Sequence, residues 1–169
     1  AHAEKIKVGY GMDEGVEMGP VIDAKSKEFI TGLIDDAEAK GAEVVLDGRP
    51  LVIPGHEKGH FLGPTIVDNV SLESSLYTEE VFGPVLHVAG FKAEDLDKVV
   101  GAINARGYGL TFGLHSRIDD RVERVTSRLK VGNMYVNRNQ IGAIVGSQPF
   151  GGEGLSGTGP KAGGPFYLR

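Results

Sequence analysis

The stretch TEEVFGPV, residues 78–85, places a carboxylate two residues before an aromatic side chain and then passes through Gly-Pro into an apolar run. The carboxylate of Glu80 can accept hydrogen bonds from a sugar diol, and the ring of Phe82 can offer a flat face to a planar ligand. The same residues also fit an acidic turn before an edge strand. The local sequence leaves both interpretations open.

A second stretch, QPFGGEGLSGTGPKAGGPF at residues 148–166, contains the spacing G-x-G-x-x-G at Gly152, Gly154 and Gly157. A dinucleotide-binding glycine loop follows a strand directly and opens a helix whose N-terminus receives the phosphates. Here Pro-Phe precedes the glycines, and the following TGPKAGGP cannot form a helix. We therefore predict that these glycines allow close backbone packing or expose amides to an anion, and that they do not cradle a pyrophosphate.

Other classes of site find no support in the composition. The chain of 169 residues has no cysteine, which excludes disulfides, zinc–thiolate sites and a cysteine nucleophile within it. It also has no G-x-S-x-G elbow. The histidines show no metal-ligand spacing; they are His2, His56, His60, His87 and His115.

The charge and hydropathy patterns argue against two kinds of partner. The net charge of −5 gives no basic field to attract nucleic acid. No apolar run approaches the roughly 18 residues that a membrane-spanning helix needs. The first residues, AHAEKIKVGYG, contain no apolar signal-peptide core. We expect a cytoplasmic location.

Strands and helices alternate along the chain. The periodicity predicts helices within 23–40, 93–107 and 119–132, and strands within 42–48, 65–70, 84–91, 110–116 and 133–137. In the first helix the apolar stripe consists of Phe29, Ile30, Leu33, Ile34 and Ala37, with Asp23 as N-cap and Gly41 as stop. This alternation predicts one α/β unit over residues 1–169 with a parallel sheet.

Several motifs together resemble the C-terminal part of the catalytic domain of NAD(P)-dependent aldehyde dehydrogenases. They are EEVFGPV, YVNRN and QPFGGEGLSGTGPKAGGP, with MGPVIDAKSKEFITGLIDDAEAKGAEVVLDG and FLGPTIVDNV upstream, so the resemblance covers essentially the whole chain. It implies a three-layer α/β fold with a mainly parallel sheet, and NAD as cofactor.

Within that superfamily the two halves resemble different branches. INARGYGLTFGLHSRID, VGNMYVNRNQIGAIVG and the glycine-rich stretch are most similar to glutamate semialdehyde (1-pyrroline-5-carboxylate) dehydrogenases, including the domain fused to proline dehydrogenase in proline utilization A. DGRPLVIPGHEKGHFLGPTIVDNV resembles methylmalonate semialdehyde dehydrogenases. The implied substrate is a semialdehyde that carries a carboxylate.

The resemblance also implies roles for individual residues. Glu80 would hold the hydroxyls of the nicotinamide ribose, and Phe82 would lie against the nicotinamide side of the cofactor. Phe150 would line the aldehyde channel. Backbone amides at Gly142 and Ala143 would hold the substrate carboxylate.

The family attacks the aldehyde with a cysteine thiolate, passes a hydride to NAD and hydrolyses the thioester with a glutamate base. Since this chain has no cysteine, we expect no catalytic residue in it and no activity of the isolated chain. We also expect weak or absent NAD binding, because the resemblance implies that Glu80 and Phe82 contact only the nicotinamide end of the cofactor. We interpret it as part of a larger catalytic domain. The alternatives are a non-catalytic assembly or binding module and a fragment of a methylmalonate semialdehyde dehydrogenase. Exposed apolar surface would favour a homo-oligomer.

Overall fold

The computed structural model describes residues 2–142, 146–157 and 159–168. Contacts divide the chain into two compact units, Ala1–Gly90 and Phe91–Arg169, and each is described by itself. Short 3-10 turns lie at Ala3–Lys5 in the first unit and at Ala93–Asp95 in the second.

Helix α1, Ala24–Ala39, dominates the first unit and confirms the predicted first helix. The side chain of Asp23 accepts a hydrogen bond from the backbone N–H of Ser26 at 2.6 Å, which satisfies one of the free donors of the first turn. The helix ends before Gly41, whose φ of 91° is left-handed. The predicted stripe is buried except at its edge, where Phe29 is 47% exposed.

A three-stranded sheet packs against the buried face of α1. It consists of β1 (Glu43–Leu46), β2 (Thr65–Asp68) and β3 (Val85–His87), in the order β1-β2-β3. Strand β2 pairs antiparallel with β1 and parallel with β3. The one-turn helix α2, Ser75–Thr78, lies between β2 and β3. The core contains Ile30, Leu33, Ile34, Ala37, Ala42, Leu62, Val67, Val70 and Leu76.

The second unit contains a βαβ arrangement. Strand β5 (Thr111–Leu114) pairs parallel with β6 (Asn133–Val136), and α4 (Asp119–Thr126) connects them. Helix α3 is Leu96–Ala105. The core contains Val100, Val125, Leu129 and Val131. The α/β class and the predicted helices are thus confirmed, with parallel pairing at β2–β3 and β5–β6.

A short antiparallel ladder in the second unit has no counterpart in the sequence prediction. Strand β4 (Tyr108–Gly109) pairs with β7 (Glu153–Gly154), which lies inside the glycine-rich stretch. Gly154 has a φ of 59°, and a Cβ there would overlap the carbonyl oxygen of Gly107. Only glycine permits this approach. Because β7 consists of one glutamate and one glycine, its sequence shows no alternation of apolar and polar residues that would predict a strand.

Candidate functional site

Helix α2 leads the chain into the loop that carries Glu80 and Phe82. The side chain of Ser74 caps the helix by accepting a hydrogen bond from the N–H of Leu76 at 3.2 Å. Beyond the helix, Val81 packs against the core of the first unit. Its two neighbours, Glu80 and Phe82, are exposed. The loop therefore anchors its middle residue and presents the two predicted site residues to solvent.

Phe82 adopts an unusual backbone conformation. Its φ is 48°, a region that favours glycine, and its side chain is 88% exposed. A non-glycine residue held there costs of order 1–3 kcal/mol, so the surrounding structure must impose it. The next residue contributes, because a Cβ on Gly83 would lie 2.5 Å from Cδ1 of the buried Ile30. The chain then continues through Pro84, whose carbonyl accepts from the N–H of Thr65 at 2.9 Å.

The loop leaves both predicted site residues accessible to a ligand. The carboxylate of Glu80 makes no hydrogen bond or ion pair with the part of the chain that the structure describes. Both of its oxygens are therefore open to hydroxyl donors. The exposed ring of Phe82 lies on the same loop and offers an apolar face.

Asp36 fixes the beginning of α2. Its carboxylate accepts from the N–H of Ser75 at 3.0 Å, from the hydroxyl of Ser75 at 2.5 Å and from Nζ of Lys40 at 3.0 Å. These bonds, with that from Lys40 the largest cause, hold the pKa of Asp36 well below its ordinary value. Sequence analysis missed this role. The spacing of Asp36 and Lys40 along the helix indicates the ion pair but not the bond to α2.

In the second unit the structure brings Gly142 and Phe150 together. A Cβ on Gly142 would lie 3.8 Å from Cε2 and 4.0 Å from Cζ of the Phe150 ring. Gly142 has a φ of 139°, which favours glycine. Phe150 is fixed by two backbone bonds with Ala162, at 3.0 and 2.9 Å. Ala143, the other predicted carboxylate-binding residue, lies outside the described residues.

Strand β6 holds the segment that carries Phe150. The side chain of Asn133 donates to the carbonyl of Pro149 and accepts from the N–H of Gly151, both at 3.0 Å. Nε2 of Gln148 donates to the hydroxyl of Tyr135 at 2.9 Å. Sequence analysis did not single out these side chains. The one available signal was the polar Asn133 at the start of an otherwise apolar strand, since a buried polar side chain needs a hydrogen-bond partner.

Glycines within residues 151–164 bring backbone segments into close contact, and the described residues of this glycine run open no helix. A Cβ on Gly152 would overlap the carbonyl oxygen of Ser156, and one on Gly157 would overlap that of Gly152. The hydroxyl of Ser156 accepts from the N–H of Gly109 at 3.1 Å. The prediction of close backbone packing is therefore confirmed.

Two other features are absent from the described residues. No group of three or more His, Asp or Glu side chains there is arranged to hold a metal ion. No helix in that part of the chain has the length and apolar character needed to cross a membrane. His87 lies in β3 as expected, and His115 directly follows β5.

Comparison with known proteins decides the family. The sequence matches the aldehyde dehydrogenase family over residues 1–169. This chain belongs to that family. It is 53% identical over 154 residues to the bifunctional protein PutA of Klebsiella aerogenes, covering 90% of this chain and 12% of PutA. It is 39% identical over 165 residues to the 1-pyrroline-5-carboxylate dehydrogenase of Bacillus cytotoxicus, covering 98% of this chain and 31% of that enzyme.

Solved structures give the same fold. Proline utilization A of Bradyrhizobium japonicum superposes with a TM-score of 0.85 at 48% identity, covering 98% of this chain and 16% of that one. A putative methylmalonate-semialdehyde dehydrogenase of Sinorhizobium meliloti, solved in complex with NAD, superposes with a TM-score of 0.85 at 30% identity, covering 94% and 32%. Both branches suggested by the motifs are thus among the neighbours of this aldehyde dehydrogenase chain, which spans less than a third of the length of each curated relative described above.

Proposed function

We propose that this chain supplies cofactor and substrate contacts in an NAD(P)-dependent aldehyde dehydrogenase that oxidises glutamate semialdehyde to glutamate in proline catabolism. The observation that carries the proposal is the loop at residues 80–82. It combines a strained, 88% exposed Phe82 with a Glu80 carboxylate that bonds no described residue. Neither feature stabilises the first unit, so both are available to a ligand.

Each site residue then has a definite task. The oxygens of Glu80 accept hydrogen bonds from the ribose hydroxyls of the cofactor, and Phe82 packs against its nicotinamide end. The bound cofactor supplies the hydride acceptor. Backbone N–H groups at Gly142 and Ala143 donate to the substrate carboxylate, while the ring of Phe150 lines the path of the aldehyde.

The substrate assignment is supported by the neighbourhood of Gly142. Its φ of 139° favours glycine, although a Cβ there would meet the Phe150 ring only at ordinary contact distance. A glycine at this position allows the backbone amides to approach an anion closely. The relatives named for proline utilization and for 1-pyrroline-5-carboxylate support the same choice.

A second candidate substrate is methylmalonate semialdehyde, which the 30% identical structure bound to NAD supports. A non-catalytic assembly or binding module is the third possibility, which the absence of cysteine supports for the isolated chain. We expect the isolated chain to bind NAD weakly, to reside in the cytoplasm and to form homo-oligomers.

The proposal is tested in a hybrid dehydrogenase, in which this chain replaces the matching 165 residues of the Bacillus cytotoxicus enzyme. NADH formation is measured with glutamate semialdehyde, methylmalonate semialdehyde and an aliphatic aldehyde without a carboxylate. We expect the hybrid to oxidise glutamate semialdehyde and to prefer it to the other two. A preference for methylmalonate semialdehyde would favour the second candidate. A folded hybrid that oxidises none of them would favour the non-catalytic module.

A further inference from the structure

Asn133 is a buried polar side chain, 7% exposed, at the first position of β6. Its Nδ2 donates to the carbonyl of Pro149 and its Oδ1 accepts from the N–H of Gly151, each at 3.0 Å. The side-chain amide has one donor end and one acceptor end, so only this orientation satisfies both bonds. The carbonyl immediately before Phe150 and the N–H immediately after it are therefore fixed by one side chain.

The strand that carries Asn133 is itself well fixed, and so it can hold the two hydrogen bonds that clamp Pro149 and Gly151. Strand β6 is paired with β5 in four consecutive register positions. The preceding residue, Gly132, lies so close to the loop at residues 149–151 that a Cβ there would overlap the carbonyl oxygen of Gly151. The carbonyl of Gly132 also accepts from Nζ of Lys161. The loop is thus held against β6 on both sides of Phe150.

We propose that Asn133 is a positioning residue that aims the ring of Phe150 at Gly142 and thereby sets the width of the substrate channel. Without its amide, one carbonyl and one N–H would lose their partners at two partly buried hydrogen bonds. Such groups are costly to leave unpaired, so the segment would turn toward water and carry the ring with it. The orientation of the Phe150 ring follows from the geometry alone, whereas its role in the substrate channel rests on the proposed function.

Asn104 provides a matched control in the same unit. Its Nδ2 donates to the carbonyl of Arg128 and its Oδ1 accepts from the N–H of Lys130, both at 2.9 Å. It therefore clamps a different loop with the same two-bond pattern. Substituting Asn104 imposes a comparable loss of bonds, while the described contacts of Phe150 stay intact.

The geometric part is tested by NMR on the 169-residue chain. Nuclear Overhauser effects between the Phe150 ring and the Hα protons of Gly142 are compared in the wild type, Asn133→Ala, Asn133→Asp and Asn104→Ala. Asn133→Asp keeps the shape and the acceptor but removes the donor to Pro149, so it serves if the alanine variant does not fold. We expect the signal to be lost in the Asn133 variants, because the ring would leave the contact distance of Gly142, and to persist in Asn104→Ala. An unchanged signal in a folded Asn133 variant would overturn the proposal.

The channel part is tested in the hybrid dehydrogenase. We expect Asn133→Ala to raise KM for glutamate semialdehyde several-fold while KM for NAD changes by less than about twofold, and Asn104→Ala to change neither. A lost NMR contact with an unchanged semialdehyde KM would contradict a role in the channel. A lost contact in a chain whose wild-type hybrid is folded but inactive would support the positioning of Phe150 and refute the proposed function.

Discussion

Asp36 of α1 accepts two hydrogen bonds from Ser75, the first residue of α2, one from the backbone N–H at 3.0 Å and one from the hydroxyl at 2.5 Å. Lys40 donates to the same carboxylate. The bonds join the long helix to the single turn that leads into Glu80 and Phe82. The direction of the proposed cofactor loop therefore depends on a carboxylate in another element.

This carboxylate makes stability depend on pH. Because the pKa of Asp36 is lowered in the folded chain, its stabilising effect is fully present above its unfolded pKa and is lost as the pH falls through that value toward the folded one. We expect Asp36→Asn to unfold at lower urea concentration than the wild type at pH 7. The difference should shrink below about pH 4. Glu28→Gln, on the same helix, is the control, and a difference that stays constant with pH would refute this explanation.

The glycine run yields a prediction about stability alone. A Cβ on Gly157 would overlap the carbonyl oxygen of Gly152, whereas one on Gly159 would meet nothing within 4 Å. We expect Gly157→Ala to destabilise the second unit by about 1–3 kcal/mol, as overpacking commonly does. Gly159→Ala should be neutral or stabilising by about 0.4–1 kcal/mol, because it restricts the unfolded chain. Urea unfolding of both variants checks this, and equal effects would count against a packing role.

A substitution at Gly142 tests whether its loop holds the substrate carboxylate. Alanine rarely adopts the φ of 139° of this residue. A Cβ at this position would, however, lie at ordinary van der Waals distance from the ring of Phe150. Gly142→Ala should therefore act through the backbone and displace the amides. In the hybrid we expect KM for glutamate semialdehyde to rise about tenfold, consistent with the loss of a charge-assisted hydrogen bond. KM for an aldehyde without a carboxylate should change little, and equal increases would mean that the loop is only a support.

The edge of the first sheet yields a prediction about assembly. Strand β3 lies at one edge of the sheet, and Leu86 within it is 59% exposed. Exposed apolar residues on an edge strand favour association. We expect the isolated chain to associate with increasing concentration, and Leu86→Lys to weaken that association more than Met12→Lys, which changes another exposed apolar residue. Sedimentation velocity measures this. A wild-type chain that remains monomeric at all concentrations would contradict it.

Local patterns predicted most of the fold because they leave a periodic signal. The stripe from Ile30 to Ala37 is such a signal, and the strand-forming aromatic and aliphatic residues of β5 and β6 are another. Strand β7 escaped because its residues, Glu153 and Gly154, have no apolar alternation and pair through backbone atoms alone. The prediction of a single α/β unit stays a prediction, beside the two compact units observed.

The candidate site was predictable only where side chains themselves form the motif. Glu80 and Phe82 can be located from their spacing and from the following Gly-Pro. The hydrogen-bond partners of Asp36 and Asn133 were not predictable, since each side chain bonds backbone groups far away in sequence. The chemistry of such contacts is set by tertiary structure, and the residue types alone do not reveal it.

The most direct test of the central claim compares two adjacent glutamates in the hybrid dehydrogenase. Glu79 and Glu80 are both exposed, but only Glu80 is proposed to hold the ribose hydroxyls. Hydrogen bonds to a charged group contribute about 1.5–3 kcal/mol, or roughly one to two decades in affinity. We therefore expect Glu80→Gln to raise KM for NAD at least about tenfold and Glu79→Gln to leave it within about twofold. Equal KM values for NAD in the two variants would contradict the assignment of this loop to the cofactor.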